Sequence, residues 1–202
     1  MNIQEEWAIK FITEIMRDKG YTFFEKGDYN LNLIGIRGNE LKANAFDDRL
    51  INIYKVDGEW VFDEFPITTD AGTYYLQNPM KQSGTALVVP NQYKGLWELG
   101  RHRDSYTALV QKNEVEVYRD NNKDSILDFE DSTIEKGVFG INCHRSNPRG
   151  ESTQVDKWSA GCQVFKSVYD FEQRFLPIIK KAKAKWGNSF TYTLLNEYNL
   201  EI

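Results

Sequence analysis

The chain has 202 residues, 41% of them hydrophobic and 14% aromatic, with a formal net charge of −5. That length and apolar share support one well-cored globular protein and exclude a disordered chain. The acidic balance lacks the basic footprint of a nucleic-acid partner, and no apolar run reaches the length of a membrane span.

The opening Met1-Asn2-Ile3-Gln4-Glu5-Glu6 is acidic and lacks the apolar core of a secretory signal, so synthesis in the cytoplasm is expected. From Gln4 to about Asp18, Trp7, Phe11, Ile12, Ile15 and Met16 recur on one helical face, and Gly20 closes the pattern. Tyr21 to Ile36 turns aromatic and branched, broken by Gly27 and Gly35, which predicts short strands. Residues 1–45 are read as an N-terminal helix and short strands packed on a domain spanning 46–202. The clearest hairpin follows at Arg49–Thr69, where Asp57-Gly58 separates two apolar runs and glycine supplies the positive φ of a tight turn.

Thr85–Val89 reads as a strand stopped by Pro90. Ala108–Val110 and Val115–Tyr118 read as a strand pair joined by Lys112-Asn113, and Val138–Cys143 as a further short strand. Trp97, Tyr93 and Tyr106 read as core aromatics, with a groove lining as the alternative. His102, between Arg101 and Arg103, reads as a solvent-exposed loop residue, with substrate binding as its alternative. Ser167-Val168-Tyr169-Asp170 has capping-box spacing ahead of a helix carrying Phe171, Phe175, Ile179, Ala182 and Trp186. Pro177 predicts a kink or break in that helix, whose lysines from Lys180 to Lys185 read as a solvated face. Gly187-Asn188 ends it, and Phe190–Leu195 reads as a closing strand. The expected fold class is mainly β (α+β), with a helix at each end.

Two groups carry candidate chemistry. Cys162 ends the run Ser159-Ala160-Gly161-Cys162, and His144 precedes it with seventeen residues between. A thiol attacks as its thiolate, and an imidazole is both proton acceptor and compensating charge. Gly161 permits a tight turn whose N–H groups could face an oxyanion. Taken alone, the pair could equally be a core cysteine and a hydrogen-bonded loop histidine. Cys143 and Cys162 are too few for a disulfide scaffold or a cysteine zinc site, and two histidines exclude a three-histidine metal site. No phosphate-binding Gly-Lys-Ser/Thr loop occurs. Asp120, Asn122, Asp124 and Asp128 have the alternate spacing of calcium ligands. Ser125 stands where a calcium loop wants glycine, so a polar turn is the preferred reading, with a bound calcium ion as the alternative and no other cofactor expected.

The order histidine, long loop, Ser-x-Gly-Cys resembles the catalytic motif of the L,D-transpeptidase catalytic domain family, over roughly Arg49 to the C-terminus. The Asp57-Gly58 hairpin and the helix and strand after Cys162 are also similar to that family. The resemblance implies an L,D-transpeptidase-like β-sandwich or barrel. It implies Cys162 as nucleophile, His144 as base, and the Gly161 and Cys162 N–H groups as oxyanion donors. Ser159, Arg145 and Arg149 would contact substrate, and Ser146 is the nearest hydroxyl for orienting His144. The substrate would be a peptidoglycan stem peptide, cleaved through a thioester and passed to an amine (transpeptidase) or water (carboxypeptidase or endopeptidase). The family's histidine before Gly161 is Ala160 here, and its arginine falls on Val164, with Gln163 at an aliphatic position. These departures leave the acceptor open. A non-catalytic wall-binding module on the same scaffold is the alternative, and a papain-like amidase has the opposite cysteine–histidine order. A monomer is expected, reaching the wall by release or phage delivery.

Overall fold

The computed structural model describes residues 2–200. Helix α1 (Ile3–Asp18) opens the chain, followed by strands β1 (Asn32–Arg37), β2 (Asp48–Val56) and β3 (Glu59–Thr68), then the short helix α2 (Thr73–Gln77). Strands β4 (Thr85–Val88), β5 (Gln92–His102), β6 (Tyr106–Gln111) and β7 (Val115–Asp120) come next. Strands β8 (Glu135–Gly137), β9 (Cys143–Arg145) and β10 (Gln163–Phe165) lead to helix α3 (Leu176–Trp186) and strand β11 (Phe190–Asn196). Eight strands close a barrel in the order β1-β11-β5-β6-β9-β10-β3-β2, and β4, β7 and β8 form a separate three-stranded sheet. The fold is therefore mainly β, with a few helices.

The N-terminal helix forms where expected, started by a capping box in which Asn2 accepts the Glu5 N–H at 3.0 Å and Glu5 accepts the Asn2 N–H at 2.8 Å. Its buried stripe is narrower than the sequence implies. Ile9, Ile12 and Met16 pack on Ile34, Ile36, Ile51 and Ile53, while Trp7 stays exposed and stacks on Phe11 at 5.1 Å. Strands β1 and β2 thus have one face under α1 and the other, through Leu33 and Leu50, in the main core. Burial on both faces explains their near-continuous apolar sequence.

Part of the segment read as residues 1–45 belongs to the barrel itself. β1 lies inside the barrel, antiparallel to β2 and parallel to β11, with Ile34 opposite Ile51 and Thr193. Upstream of it, Tyr21–Phe24 forms no strand. Side chains satisfy that backbone instead: Gln92 bonds both the N–H and C=O of Thr22 at 2.8 Å, and Asn32 bonds those of Phe24.

The β2–β3 hairpin turns at Asp57 and Gly58 with φ of 52° and 83°, as the Asp-Gly pair demands. The pair read at Ala108–Val110 and Val115–Tyr118 is a different matter. β6 joins β5 and β9 in the barrel, whereas β7 leaves it to pair with β4 and β8. Val138–Asn142 is not strand either. Gly140 takes φ +79°, and Gln111 holds the segment by accepting from the Phe139 and Ile141 N–H groups at 3.0 and 2.7 Å.

Pro177 neither breaks nor ends the last helix. A wide π-helical turn at Asp170–Phe175 precedes it, so the missing proline N–H falls in the first turn of α3. Ser167 Oγ accepts the Asp170 N–H at 3.3 Å. Phe171, Phe175 and Ile179 then enter the main core against Phe65 and Phe165.

Beneath the barrel end that carries Thr69 lies a buried ionic knot. Arg37 meets Asp70 at 2.8 Å, donates to Thr69 Oγ1 at 3.2 Å and to the Val88 carbonyl at 2.9 Å. Asp48 accepts the Gly38 N–H at 2.7 Å and the Thr69 N–H at 2.6 Å. Burial, then the neighbouring Asp70 charge, raises the Asp48 carboxyl above its ordinary value.

Candidate functional site

Strand β9 is short because its work is to place two residues. It runs parallel to β10, with His144 beside Val164 and Cys143 beside Gln163, and the ladder continues one step back through the Gln163 N–H donating to the Asn142 carbonyl at 2.9 Å. Cys162 therefore lies alongside Asn142. Alternation puts Asn142 and His144 on one face. The Cys162 thiol accepts the Asn142 main-chain N–H and donates to the Gly140 carbonyl, both at 3.4 Å. Cys162 is partly exposed, whereas Cys143 is fully buried in the core.

Ser159 makes the turn that delivers the cysteine. Its hydroxyl donates to the Cys162 carbonyl at 2.9 Å and accepts the Gly161 N–H at 3.1 Å. Ser159 is buried at 1% exposure, so its bonds belong to the turn rather than to a ligand. Gly161 has φ +114°, and a Cβ there would sit 2.3 Å from the Ala86 carbonyl of β4. Only glycine fits. Because the Gly161 N–H is already donated to Ser159, it is not a free oxyanion donor. The Cys162 N–H makes no hydrogen bond among the described residues and remains available.

Gln163, at the position where an aliphatic residue was looked for, braces β10 from behind. It accepts the Tyr192 hydroxyl at 2.6 Å and donates to the Thr69 carbonyl at 3.2 Å. Tyr192 reaches it across Gly35, where any Cβ would strike the phenol oxygen.

His144 is buried, and its Nδ1 lies 2.7 Å from the Arg145 carbonyl. A carbonyl only accepts, so Nδ1 carries the proton and Nε2 is the basic nitrogen. The Tyr106 hydroxyl closes the same corner, 3.2 Å from Nδ1 and donating to the Arg145 carbonyl at 3.3 Å. Ser146 takes no part, since its hydroxyl donates to the Lys166 carbonyl. Burial, then the nearby His102, holds His144 down to about 3, and burial raises the Cys162 thiol. The resting pair is neutral thiol and neutral imidazole.

His102 corrects the sequence expectation. It ends β5 at 8% exposure and stacks on His144 with ring centroids 4.1 Å apart. Asn142 Nδ2 donates to its Nδ1 at 3.0 Å, so one asparagine bonds the second imidazole through its amide and the thiol through its backbone. The signal missed in the sequence is the eleven-residue strand Gln92–His102, which contains Gly95 and Gly100. Gly95 faces Ser189 and Gly100 faces Val110, closer than a Cβ allows.

Cys162, His144, His102 and Asn142 line one cleft of about 490 Å³, walled by Met80, Trp158 and Phe139. The cationic residues expected to meet substrate do not line it. Arg145 is paired with Glu172 at 2.9 Å and lies over the Tyr106 ring at 4.0 Å. Arg149 is exposed on the loop beyond, where its N–H is bonded by Asn147. Trp97 and Tyr93 are core residues, Trp97 donating to the Ile141 carbonyl at 2.8 Å.

The acidic run after β7 is organised by its own side chains. Asn122 Nδ2 donates to Asp124 at 3.0 Å and Asp128 at 2.7 Å, and Asp120 accepts the Asp128 N–H at 3.2 Å. Among the described residues no group of three or more His, Cys, Asp or Glu side chains could hold a metal ion. No helix among them is long and apolar enough to cross a membrane.

No family model matches the chain, and neither a curated protein nor a solved structure matches it.

Proposed function

We propose that the protein is a cysteine-dependent acyl-transfer enzyme whose substrates are peptides of the peptidoglycan stem type. The observation that carries this reading is the cleft in which a partly exposed thiol and a carbonyl-oriented imidazole share one wall. The motif Ser159-Ala160-Gly161-Cys162 and its resemblance to the L,D-transpeptidase catalytic domain family give the substrate class. The family's barrel or sandwich is the finer fold that this reading adopts.

In this mechanism Cys162 Sγ attacks the acyl carbon of the stem peptide while His144 Nε2 takes the thiol proton. The tetrahedral oxyanion is met by the Cys162 N–H. Collapse breaks the C–N bond, the protonated imidazole returns its proton to the leaving amine, and a thioester to Cys162 remains. An amine or water then attacks the thioester as His144 again takes a proton; collapse breaks the C–S bond, and that proton returns to the Cys162 thiolate. Because the resting pair is neutral, proton transfer accompanies attack rather than preceding it. The alternative, a wall-binding module without turnover, draws its support from that same neutrality and from Ala160.

Mass spectrometry of muropeptides incubated with wild type and Cys162→Ala tests the choice. Loss of the terminal residue or a new cross-link with wild type, and neither with the variant, is expected. Unchanged muropeptides with saturable binding would favour the binding module.

A further inference from the structure

The cleft runs against the charge of the chain. In a protein of net charge −5, the residues lining it include Lys81, Arg103, Arg119, His102 and His144, and no aspartate or glutamate. These groups differ in what already holds them. Arg119 is 5% exposed at its side chain and paired with Glu135 at 2.8 Å, and both imidazoles have partners. Neither Arg103 nor Lys81 has an acidic partner within salt-bridge distance among the described residues, although Lys81 is near enough to Glu135 to help lower that carboxyl. Lys81 Nζ lies over the Phe139 ring at 4.8 Å, and Arg103 is exposed at the cleft.

Arg103 is not a loose surface arginine at its root. It and Asp104 take φ of 48° and 52° in the three-residue loop of the β5–β6 hairpin, whose turn is closed by the Ser105 N–H donating to the His102 carbonyl at 2.9 Å. Arg101 clamps the far side of that turn through the Asp104 and Ser105 carbonyls at 3.0 and 2.6 Å. The turn is thereby fixed immediately beside His102, and Arg103 lines the same cleft as Cys162.

We infer that the cleft contains a carboxylate-binding subsite in which Arg103 and Lys81 hold an anionic group of the substrate beside Cys162. The inference deepens the acyl-transfer reading and takes its nucleophile from it. A guanidinium fork suits a planar carboxylate, and the apolar walls Met80, Trp158 and Phe139 suit the aliphatic frame that carries it. No helix N-terminus lines the cleft to cradle a phosphate, since α2 ends ahead of Met80.

Two alkylating agents of similar size separate this idea from the nucleophile itself. Iodoacetamide is neutral and iodoacetate anionic; with each, the Cys162 sulfur forms a C–S bond, iodide leaves, and the thiol proton passes through His144 to solvent. Iodoacetate is expected to label Cys162 about tenfold faster than iodoacetamide, with saturation and with a preference that falls as salt rises. Arg103→Gln should reverse the preference and Lys81→Gln should narrow it. A wild-type ratio at or below one, or a ratio unmoved by both substitutions, would overturn the subsite while leaving a labelled Cys162 as nucleophile. Absence of labelling at Cys162 by either reagent would instead count against the nucleophile. The subsite is then judged by melting temperature. A rise with succinate but not succinamide, lost in Arg103→Gln, supports it, and no difference between the two ligands refutes it.

Discussion

His144→Ala is expected to lower kcat/KM on a stem-peptide substrate by about 10²–10⁴-fold, the range for losing a positioned general base. The fold should survive, because the ring's hydrogen bonds are confined to Tyr106 and the Arg145 carbonyl. His102 does not replace it, since its Nδ1 is held by Asn142 and its ring is stacked flat on the site His144 vacates. The pH dependence tells the same story from the other side. With His144 held to about 3 and the Cys162 thiol raised, neither partner titrates near neutrality. The rate of the wild type should therefore be level from about pH 5 to 8, where an unperturbed imidazole would impose an acid limb. Steady-state kinetics across that range checks it. A limb centred near pH 6.5 would mean that His144 is far more solvated than its burial implies.

Arg37→Met should be the most damaging substitution outside the site, costing about 3–5 kcal/mol at neutral pH because it leaves buried carboxylates without their cation. Arg37 holds Asp70 at 2.8 Å and, through Thr69, the Asp48 that pins Gly38. The loss should shrink as the pH falls and the carboxylates take up protons. Wild type carries a smaller trace of the same effect. The folded pKa of Asp48 is raised, so the stability it contributes is full below the unfolded carboxylate value near 4 and is lost as pH rises through the folded value. His144 works oppositely, losing stability as pH falls from its unfolded value near 6.5 toward about 3. Denaturant unfolding of wild type and Arg37→Met at acid and neutral pH separates the two. A cost that does not shrink in acid would place the damage in packing rather than in charge.

Much of the fold was legible locally. The capped helix, the Asp57-Gly58 hairpin, the strand at Thr85 and the closing strand at Phe190 each announce themselves through periodicity or turn chemistry. What escaped were the pairings between distant segments. Nothing in Val115–Tyr118 says that it leaves Ala108–Val110 to join β4, and nothing in Leu33–Arg37 says that it meets Tyr192–Asn196 in parallel. Strand β5 went unread, and the reason for its glycines lies in Ser189 and Val110, far away in sequence.

The same limit governs the site. Cys162 and His144 stood out because they are close in sequence and chemically complementary. His102 did not, since it lies forty-two residues before His144 and comes to it only through the barrel order β5-β6-β9. Ser159 illustrates the converse. Its place in the motif marks it as a contact for substrate, while its hydroxyl is spent on Gly161 and Cys162. Arg145 and Arg149 have the right charge near the right residue, yet one is paired with Glu172 and the other lies outside the cleft. Arg103, from the hairpin tip that sequence reading treated as a loop, lines it instead, beside Arg119, which Glu135 already holds.

The central claim is that Cys162 carries the acyl group. Intact-protein mass spectrometry during turnover of a stem tetrapeptide measures this directly. A mass gain equal to the acyl fragment, released by hydroxylamine, mapped to Cys162 and absent in Cys162→Ala, is the predicted result. Turnover without an adduct in both proteins, or an adduct on Cys143, would contradict it.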